Sequence, residues 1–167
     1  MELGRRSFVA LALALAAPGG ARAQGVDVSP KIEDVFLLVI TDRMVECQRF
    51  YERHFGFSTV FESKVYTQLA SPEHGGRSFS LAFMPTRHPF GVIPQAAFGG
   101  GGIMLTIQTA DVDALHAKLA AEGVPVIHGP KSEPWGQRRF DVRDPAGTYV
   151  DVVQSIAPQP GWFEQFE

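Results

Sequence analysis

The residue with the clearest chemical potential is Asp151, a carboxylate inside a run of β-branched side chains. Side chains alternate along residues 148–154, so Asp151 shares one face of a predicted strand with Tyr149. In this position a carboxylate faces either the solvent or the floor of a pocket. On a pocket floor it would favour ligands that carry a cation or hydrogen-bond donors, because an unpaired buried charge is costly.

A predicted β-hairpin positions this carboxylate. Phe140 and Val142 alternate with charged residues, which predicts a first strand with one buried face. Residues 144–147 then predict a tight turn, because Asp bonds nearby backbone, Pro fixes its own φ and Gly tolerates positive φ. Arg139 either offers its planar fork to a ligand carboxylate or is a solvated strand residue. Trp135 either stacks on a ligand or packs the hairpin against the core.

Residues 33–156 contain the same order of predicted elements twice. The first module, 33–90, is predicted to hold a strand over 35–41 buried on both faces, a helix over 43–55 ended by Gly56, and strands over 58–62, 65–69 and 78–84. The second module, 101–156, is predicted to hold a strand over 103–109, a helix over 111–122 capped by Asp111, a strand over 124–127 and the hairpin. Helices followed by hairpin-connected strands favour an α+β fold.

The hairpin resembles the closing strands of a module in the vicinal oxygen chelate superfamily, which contains glyoxalase I, extradiol dioxygenases and the bleomycin-resistance proteins. The resemblance lies in Trp-Gly-x-Arg-x-Phe at 135–140, followed by Asp-Pro-x-Gly at 144–147 and an apolar strand. It implies two β-α-β-β-β modules whose curved sheets form an incomplete barrel around a pocket, with the helices outside.

Strand alternation and this resemblance together select the side chains that would line the pocket. Leu105 and Ile107 would meet the helices, and the side chains between them would face the ligand. The candidate ligand-binding residues are Ser80, Met104, Thr106, Gln108, Trp135, Arg139, Tyr149 and Asp151. Hydroxyls, an amide and a carboxylate beside aromatic rings suit a small organic molecule with a few polar groups.

The metal site of the superfamily is mostly missing. Metal-dependent members place a His or Gln near the start of each module and a Glu on its last strand. The corresponding positions here hold Val35 or Phe36, Ser80 or Ala82, Met104 and Asp151. Only the last suits an oxygen-preferring metal, since a thioether prefers copper(I). We therefore expect no metal and no other cofactor; a divalent metal held by unrecognised ligands is the alternative.

Other catalytic arrangements are also missing from the sequence. The histidines show no His-x-His or His-x-x-x-His spacing, so we expect each of them to be solvated. No Gly-x-Ser-x-Gly motif and no phosphate-binding glycine loop follows a strand. Cys47 is the only cysteine, and its helical spacing with Phe50 and Tyr51 predicts a buried thiol.

Residues 1–23 predict a cleaved export signal. Arg5 and Arg6 precede an apolar run over 7–17 that is too short to span a bilayer. Residues 21–23, Ala-Arg-Ala, form the small-x-small pattern that signal peptidase reads. The arginine pair is similar to a twin-arginine signal, and an ordinary Sec signal is the alternative. We therefore expect a periplasmic or secreted protein.

The mature chain would begin at Gln24, with a segment over 24–32 before the domain and a tail over 157–167 after it. Loss of residues 1–23, which contain three arginines and one glutamate, takes the formal net charge from −3 to about −5. Nucleic acid is therefore a poor partner, and no membrane association is expected after cleavage. The aromatic tail either contacts its own domain, meets a second subunit in a homodimer, or is untethered.

Two functions follow from these expectations. The first is an exported, metal-free protein that binds or sequesters a small molecule, as the bleomycin-resistance branch does. The second is a metal-dependent lyase, isomerase or dioxygenase of the same superfamily with unrecognised ligands. The missing ligand residues favour the first and argue against an enzyme. A plain interaction module without a pocket is a third alternative.

Overall fold

The computed structural model describes residues 35–91, 93 and 96–166 of the 167-residue chain. The predicted signal over 1–23 and the segment over 24–32 lie outside the described residues. Within the described part, no helix is long and apolar enough to cross a membrane.

Each predicted helix and strand of the two modules is present. The first module contains β1 Phe36–Ile40, α1 Met44–Phe55, β2 Ser58–Ser63, β3 Tyr66–Ala70 and β4 Ser80–Met84. The second contains β5 Met104–Gln108, α2 Val112–Ala121, β6 Val126–Glu133, β7 Gln137–Arg143 and β8 Tyr149–Ser155. A short 3-10 helix, Glu164–Phe166, lies in the tail. β6 extends well beyond its predicted range of 124–127 because the hairpin with β7 continues almost to the turn.

The strands form two four-stranded sheets with orders β1-β4-β3-β2 and β5-β8-β7-β6. In each sheet the first strand of the module pairs in parallel with the last, and the other pairs are antiparallel. Few helices and two mixed sheets confirm the α+β class, and the described strands do not close into a barrel.

Local signals explain where the helices begin and end. The apolar residues of α1 recur at three and four positions, so they form one buried face. Gly56 ends this helix with a φ of 70°, a left-handed conformation that glycine adopts without strain. Asp111 caps α2 as predicted, since its side chain accepts a hydrogen bond of 2.9 Å from the Ala114 amide.

The two modules share one hydrophobic core. Its fully buried members include Cys47, Tyr51, Leu69 and Phe83 from the first module and Val112, Leu119, Phe140, Val142, Val150 and Val152 from the second. The predicted burial of Cys47 is confirmed, and burial raises the pKa of its thiol to about 12, which keeps it protonated. The side of each sheet that faces the core is thus fixed by packing.

The first strand is less buried than its sequence predicts. The run over 35–41 predicts a strand covered on both faces, but Phe36 is 46% exposed. The reason is its position, because β1 pairs only with β4 and lies at the edge of the first sheet. β5 lies at the equivalent edge of the second sheet, where Met104 is exposed.

The C-terminal tail contacts its own domain. The Gln159 amide donates a hydrogen bond of 2.9 Å to the Pro134 carbonyl, and the ring of Trp162 lies 6.2 Å from that of Trp135. Phe163 and Phe166 are exposed. Of the three sequence-based alternatives for the tail, the structure shows the contact with the domain.

A buried hydrogen bond joins the two modules. The Tyr51 hydroxyl on α1 donates to Oδ2 of Asp144 at 2.9 Å, in the turn between β7 and β8. Burial, with the neighbouring Asp144, raises the pKa of Tyr51 above its usual range, so the hydroxyl stays a donor. The other carboxyl oxygen of Asp144 accepts the Thr148 amide at 2.8 Å. The turn is therefore held from both sides.

We predict that Tyr51→Phe lowers the free energy of unfolding by about 1 to 3 kcal/mol, because the buried Asp144 oxygen loses its donor. Urea denaturation measures the change. Tyr149→Phe is the matched control, since the Tyr149 hydroxyl has no hydrogen-bond partner within the described residues. Equal stability of the two variants would show that the Tyr51 bond does not hold the modules together.

Candidate functional site

The face of the second sheet opposite the core, which we call the polar face, carries a row of charged side chains. The register between β7 and β8 places Asp141 directly opposite Asp151. The neighbouring strands add Thr106 beside Asp151 and His128 beside Asp141. Both carboxyl groups are buried, with 5% of Asp141 and 4% of Asp151 exposed. Two like charges in direct cross-strand contact require a compensating group.

Arg139 supplies this compensation. Its Nε donates to Oδ1 of Asp151 at 2.8 Å, and its Nη2 donates to Oδ1 of Asp141 at 2.7 Å. The Thr106 hydroxyl donates to the other oxygen of Asp151 at 3.3 Å. Arg139 was predicted either to bind a ligand carboxylate or to be solvated; in the structure it is largely buried and bonds two carboxylates of its own chain.

The electrostatics of this cluster favour a charged arginine. Burial opposes the charged form of Arg139, but the hydrogen bond and charge of Asp151, with those of Asp141, raise its pKa above the usual range. Burial raises the pKa of Asp141, the charge of Arg139 opposes this shift, and the charge of Asp151 reinforces it. One guanidinium therefore neutralises two carboxyl groups only in part.

Two further cationic side chains, Arg143 and Lys131, border the cluster. The Arg143 guanidinium lies over the Tyr149 ring, 4.1 Å from its centroid, and donates to the Gly147 carbonyl at 2.7 Å. On β6, the Lys131 amine donates to the buried Glu133 carboxylate at 3.0 Å. That hydrogen bond, opposed by burial, holds the pKa of Glu133 below its usual range. Cationic groups therefore lie on both sides of Arg139.

A cleft of about 790 Å³ adjoins the same sheet along the edge strand β5. Its other walls are the end of α1, the two residues before β2, the segment between β3 and β4, and α2. The aromatic lining residues are His54, Phe55, Phe57, His74 and Phe79. Thr106 and Gln108 also line this cleft, but Arg139 and the two aspartates do not. The cleft and the charged cluster thus meet only at β5, and we place the chemistry at the cluster, where the fixed charges are.

The structure brings six of the eight predicted ligand-binding residues onto the polar face. These are Met104, Thr106, Gln108, Arg139, Tyr149 and Asp151. Ser80 instead belongs to the first sheet, where it pairs with Phe36 and is buried. Trp135 lies in the turn before β7 beside Trp162, and its indole N–H donates to Gln137 at 2.8 Å. Trp135 is thus 36% exposed, and its ring contacts the C-terminal tail.

Asp141 belongs to the site but was not predicted from the sequence. Alternation along β7 placed it on the same face as Arg139, so one signal was available. Its partner could not be found in this way, because the pairing with Asp151 depends on the register across the turn. His128, Lys131 and Glu133 were missed for another reason: β6 was predicted to end before them.

Two histidines are not solvated as predicted. The His54 side chain is only 9% exposed, and burial lowers its pKa, partly opposed by Glu122. The Glu122 carboxylate lies 2.7 Å from Nδ1 of His54 but out of line for a hydrogen bond. His88 is also buried, in the loop between the modules. The helix ends bury His54 and the loop buries His88. Residue spacing in the sequence does not reveal such packing.

The donor set of a superfamily metal site does not fit this chain. Among the described residues, no three His, Cys, Asp or Glu side chains cluster closely enough to hold a metal ion. Asp151 is the one carboxylate at a predicted ligand position, and Arg139 and Thr106 already donate to its two oxygens. These oxygens would have to lose both partners to coordinate a metal.

Comparison with known sequences identifies the family of the chain. The model of the Glyoxalase/Bleomycin resistance protein/Dioxygenase superfamily matches residues 35–152. An uncharacterized protein from Mycolicibacterium smegmatis is 32% identical over 111 residues, which are 66% of this chain and 84% of that protein.

Solved structures show the same fold. TnmS3, an antibiotic binding protein from Streptomyces sp. CB03234, is 28% identical with a TM-score of 0.56, over 75% of this chain and 98% of TnmS3. A glyoxalase/bleomycin resistance protein/dioxygenase from Nocardioides is 19% identical with a TM-score of 0.62, over 80% and 91% of the two chains. Lactoylglutathione lyase from Agrobacterium tumefaciens is 20% identical with a TM-score of 0.56, over 75% and 96%. The chain therefore belongs to the glyoxalase/bleomycin resistance protein/dioxygenase superfamily, as its hairpin motif predicted.

Proposed function

We propose that this chain is a metal-free protein that binds a small organic molecule on the polar face of its second sheet and does not transform it. The observation that carries the proposal is the Arg139 cluster, a guanidinium fixed by two buried carboxyl groups. A charged group held in one orientation binds a ligand without first losing conformational freedom.

The surroundings of the cluster support a binding role. The opposite face of β7 and β8 carries the fully buried side chains of Phe140, Val142, Val150 and Val152, so the strands that carry the cluster are fixed by the shared core. Thr106, Gln108 and Tyr149 add hydrogen-bonding and aromatic groups to the polar face. The similarity to TnmS3, an antibiotic binding protein, supports the same class of activity.

The alternative, a metal-dependent lyase, isomerase or dioxygenase, has less support. It needs several ligands at positions that here hold apolar side chains, a thioether and a serine, beside one aspartate that is already hydrogen-bonded. The likeness to lactoylglutathione lyase is a likeness of fold. No observation on the polar face favours a chemical step over binding.

We also propose that the mature protein is exported and forms a homodimer. The basic, apolar and small-x-small pattern over residues 1–23 supports export, and N-terminal sequencing of the periplasmic fraction should give Gln24. The open edges of β1 and β5, with Phe36 exposed on β1, support a second copy as partner. Light scattering of the mature chain should give twice its mass, and a monomer mass at micromolar concentration would contradict the dimer.

We predict that the chelator-treated protein binds small aromatic molecules on the polar face. Thermal shift against aromatic acids, small amines and glycopeptide antibiotics selects ligands, and amide NMR titration then locates them. Signals of β5, β7 and β8 should move, and elemental analysis should give far less than one divalent metal per chain. Binding that requires an added metal, or turnover of a ligand, would contradict the proposal and favour the enzyme.

A further inference from the structure

We infer that the polar face selects ligands with a carboxylate or a similar planar oxyanion, and that Arg139 is the residue that binds it. This inference rests on the proposed binding function and specifies the class of ligand. It chooses between two expectations from sequence alone: that Asp151 favours a cation, and that Arg139 offers its fork to a ligand carboxylate.

Arg139 has N–H donors that no acceptor in the described part of its own chain uses. A guanidinium has two forks of N–H groups, one shared by Nε and Nη2 and one shared by Nη1 and Nη2. The two aspartates use the first fork, one N–H each. No acceptor among the described residues bonds Nη1, and Nη1 is not one of the buried polar atoms that lack a partner. The second fork is therefore open to a ligand, with the geometry that a carboxylate matches.

The carboxyl groups of Asp141 and Asp151 are not open to a ligand. The side chains of Asp141 and Asp151 are 7% and 5% exposed, against 17% for that of Arg139. Oδ1 of each accepts from Arg139, and Oδ2 of Asp151 accepts from Thr106. A cationic ligand would have to displace the arginine from its partners. An anionic ligand can use the donors that remain.

The charges that a ligand meets at the polar face are positive. The Lys131 side chain is 59% exposed, whereas its partner Glu133 is 5% exposed. Arg143 is likewise exposed and bonds a neutral carbonyl and the Tyr149 ring. On the polar face the negative groups are therefore buried and the positive groups reach solvent. This arrangement attracts an anion to the rim of the site.

The polar face also offers an apolar contact for the body of the ligand. Met104 and Tyr149 are cross-strand partners, and Met104 is exposed beside the half-buried Tyr149. A thioether next to an aromatic ring offers an apolar contact at one end of the polar face. The ligand class that fits both ends is an acid with an aromatic or apolar body.

The test uses three probes of equal size, 2-naphthoate, 2-naphthamide and 2-naphthylmethylamine, titrated into isotope-labelled protein and followed by amide NMR. The naphthoate should bind about tenfold more tightly than the other two, because only it forms charge-assisted hydrogen bonds with Arg139. Arg139→Gln should weaken naphthoate binding about tenfold or more and leave naphthamide binding nearly unchanged.

Arg138→Gln is the matched control. Arg138 is the neighbouring residue on β7 and points to the other face, where it bonds Asp113 on α2 at 2.6 Å and 2.8 Å. The Arg138→Gln variant removes the same charge as Arg139→Gln and should leave the affinities for all three probes unchanged. If Arg139→Gln does not fold because two carboxylates remain without a cation, Arg139→Gln with Asp141→Asn removes one charge of each sign and takes its place.

The outcomes separate this inference from the proposed function. Preference for naphthoate that depends on Arg139 and not on Arg138 supports it. Equal affinities for the three probes on the polar face, or a preference for the amine, overturn the choice of an acid and leave the binding function intact. Probes that move no signal of the polar face overturn both.

Discussion

The register between β7 and β8 is the constraint on which the polar face depends. It places Asp141 and Asp151 in direct cross-strand contact, and both carboxyl groups are buried there. A shift of one residue would turn one of the two strands over, moving its carboxyl group into the core and bringing its apolar side chains out. In the observed register the two acids can be accommodated only because Arg139 lies across both. The orientation of this arginine is thus a consequence of strand pairing.

The register in turn depends on the first module. Asp144 opens the turn between β7 and β8, accepts the Thr148 amide at one oxygen and accepts the Tyr51 hydroxyl at the other. Arg43, at the start of α1, also donates to the Pro145 carbonyl at 3.1 Å. One helix of the first module therefore fixes the turn that aligns the strands of the second. The shared core makes the charged cluster a property of both modules.

Sequence patterns predicted the elements of this fold because each depends on a local cause. Alternation assigned the faces of β5, β7 and β8, and Gly56 and Asp111 marked helix ends through their own backbone and side-chain preferences. Alternation and the resemblance to the superfamily together assigned Thr106, Arg139, Tyr149 and Asp151 to one pocket surface. The outcome for Phe36 differed, because a run of apolar residues does not show whether its strand lies at an edge.

The interactions within the site could not be predicted from the sequence. Asp151 was correctly identified as unusual, but its partners lie 10, 12 and 45 positions away and meet it only through pairing across the turn and across the parallel strand. Ser80 was assigned to the same surface because both modules follow one pattern, whereas the structure places it on the other sheet. Burial of His54 likewise depends on contacts between the helices that no local signal reports.

The direct test of the shared arginine is the pH dependence of stability in Asp141→Asn. Burial raises the pKa of Asp141 in the folded protein, so its ionised form is unfavourable at pH 7. This cost disappears as the pH falls through the raised folded value toward the unfolded value of about 3.9. The asparagine is never ionised, and its oxygen can still accept from Arg139.

Urea denaturation of the wild type and the variant at pH 7 and pH 4.5 measures the effect. The account predicts that Asp141→Asn is at least as stable as the wild type at pH 7, and that this difference shrinks at pH 4.5. Asp113→Asn is the control. The hydrogen bond with Arg138 lowers the pKa of Asp113, so Asp113 stays ionised in the folded protein at both pH values. The stability difference between this variant and the wild type should therefore be nearly the same at pH 7 and pH 4.5. An Asp141→Asn variant that is less stable than the wild type at both pH values would show that Asp141 is a favourable ion-pair partner, and would contradict the account.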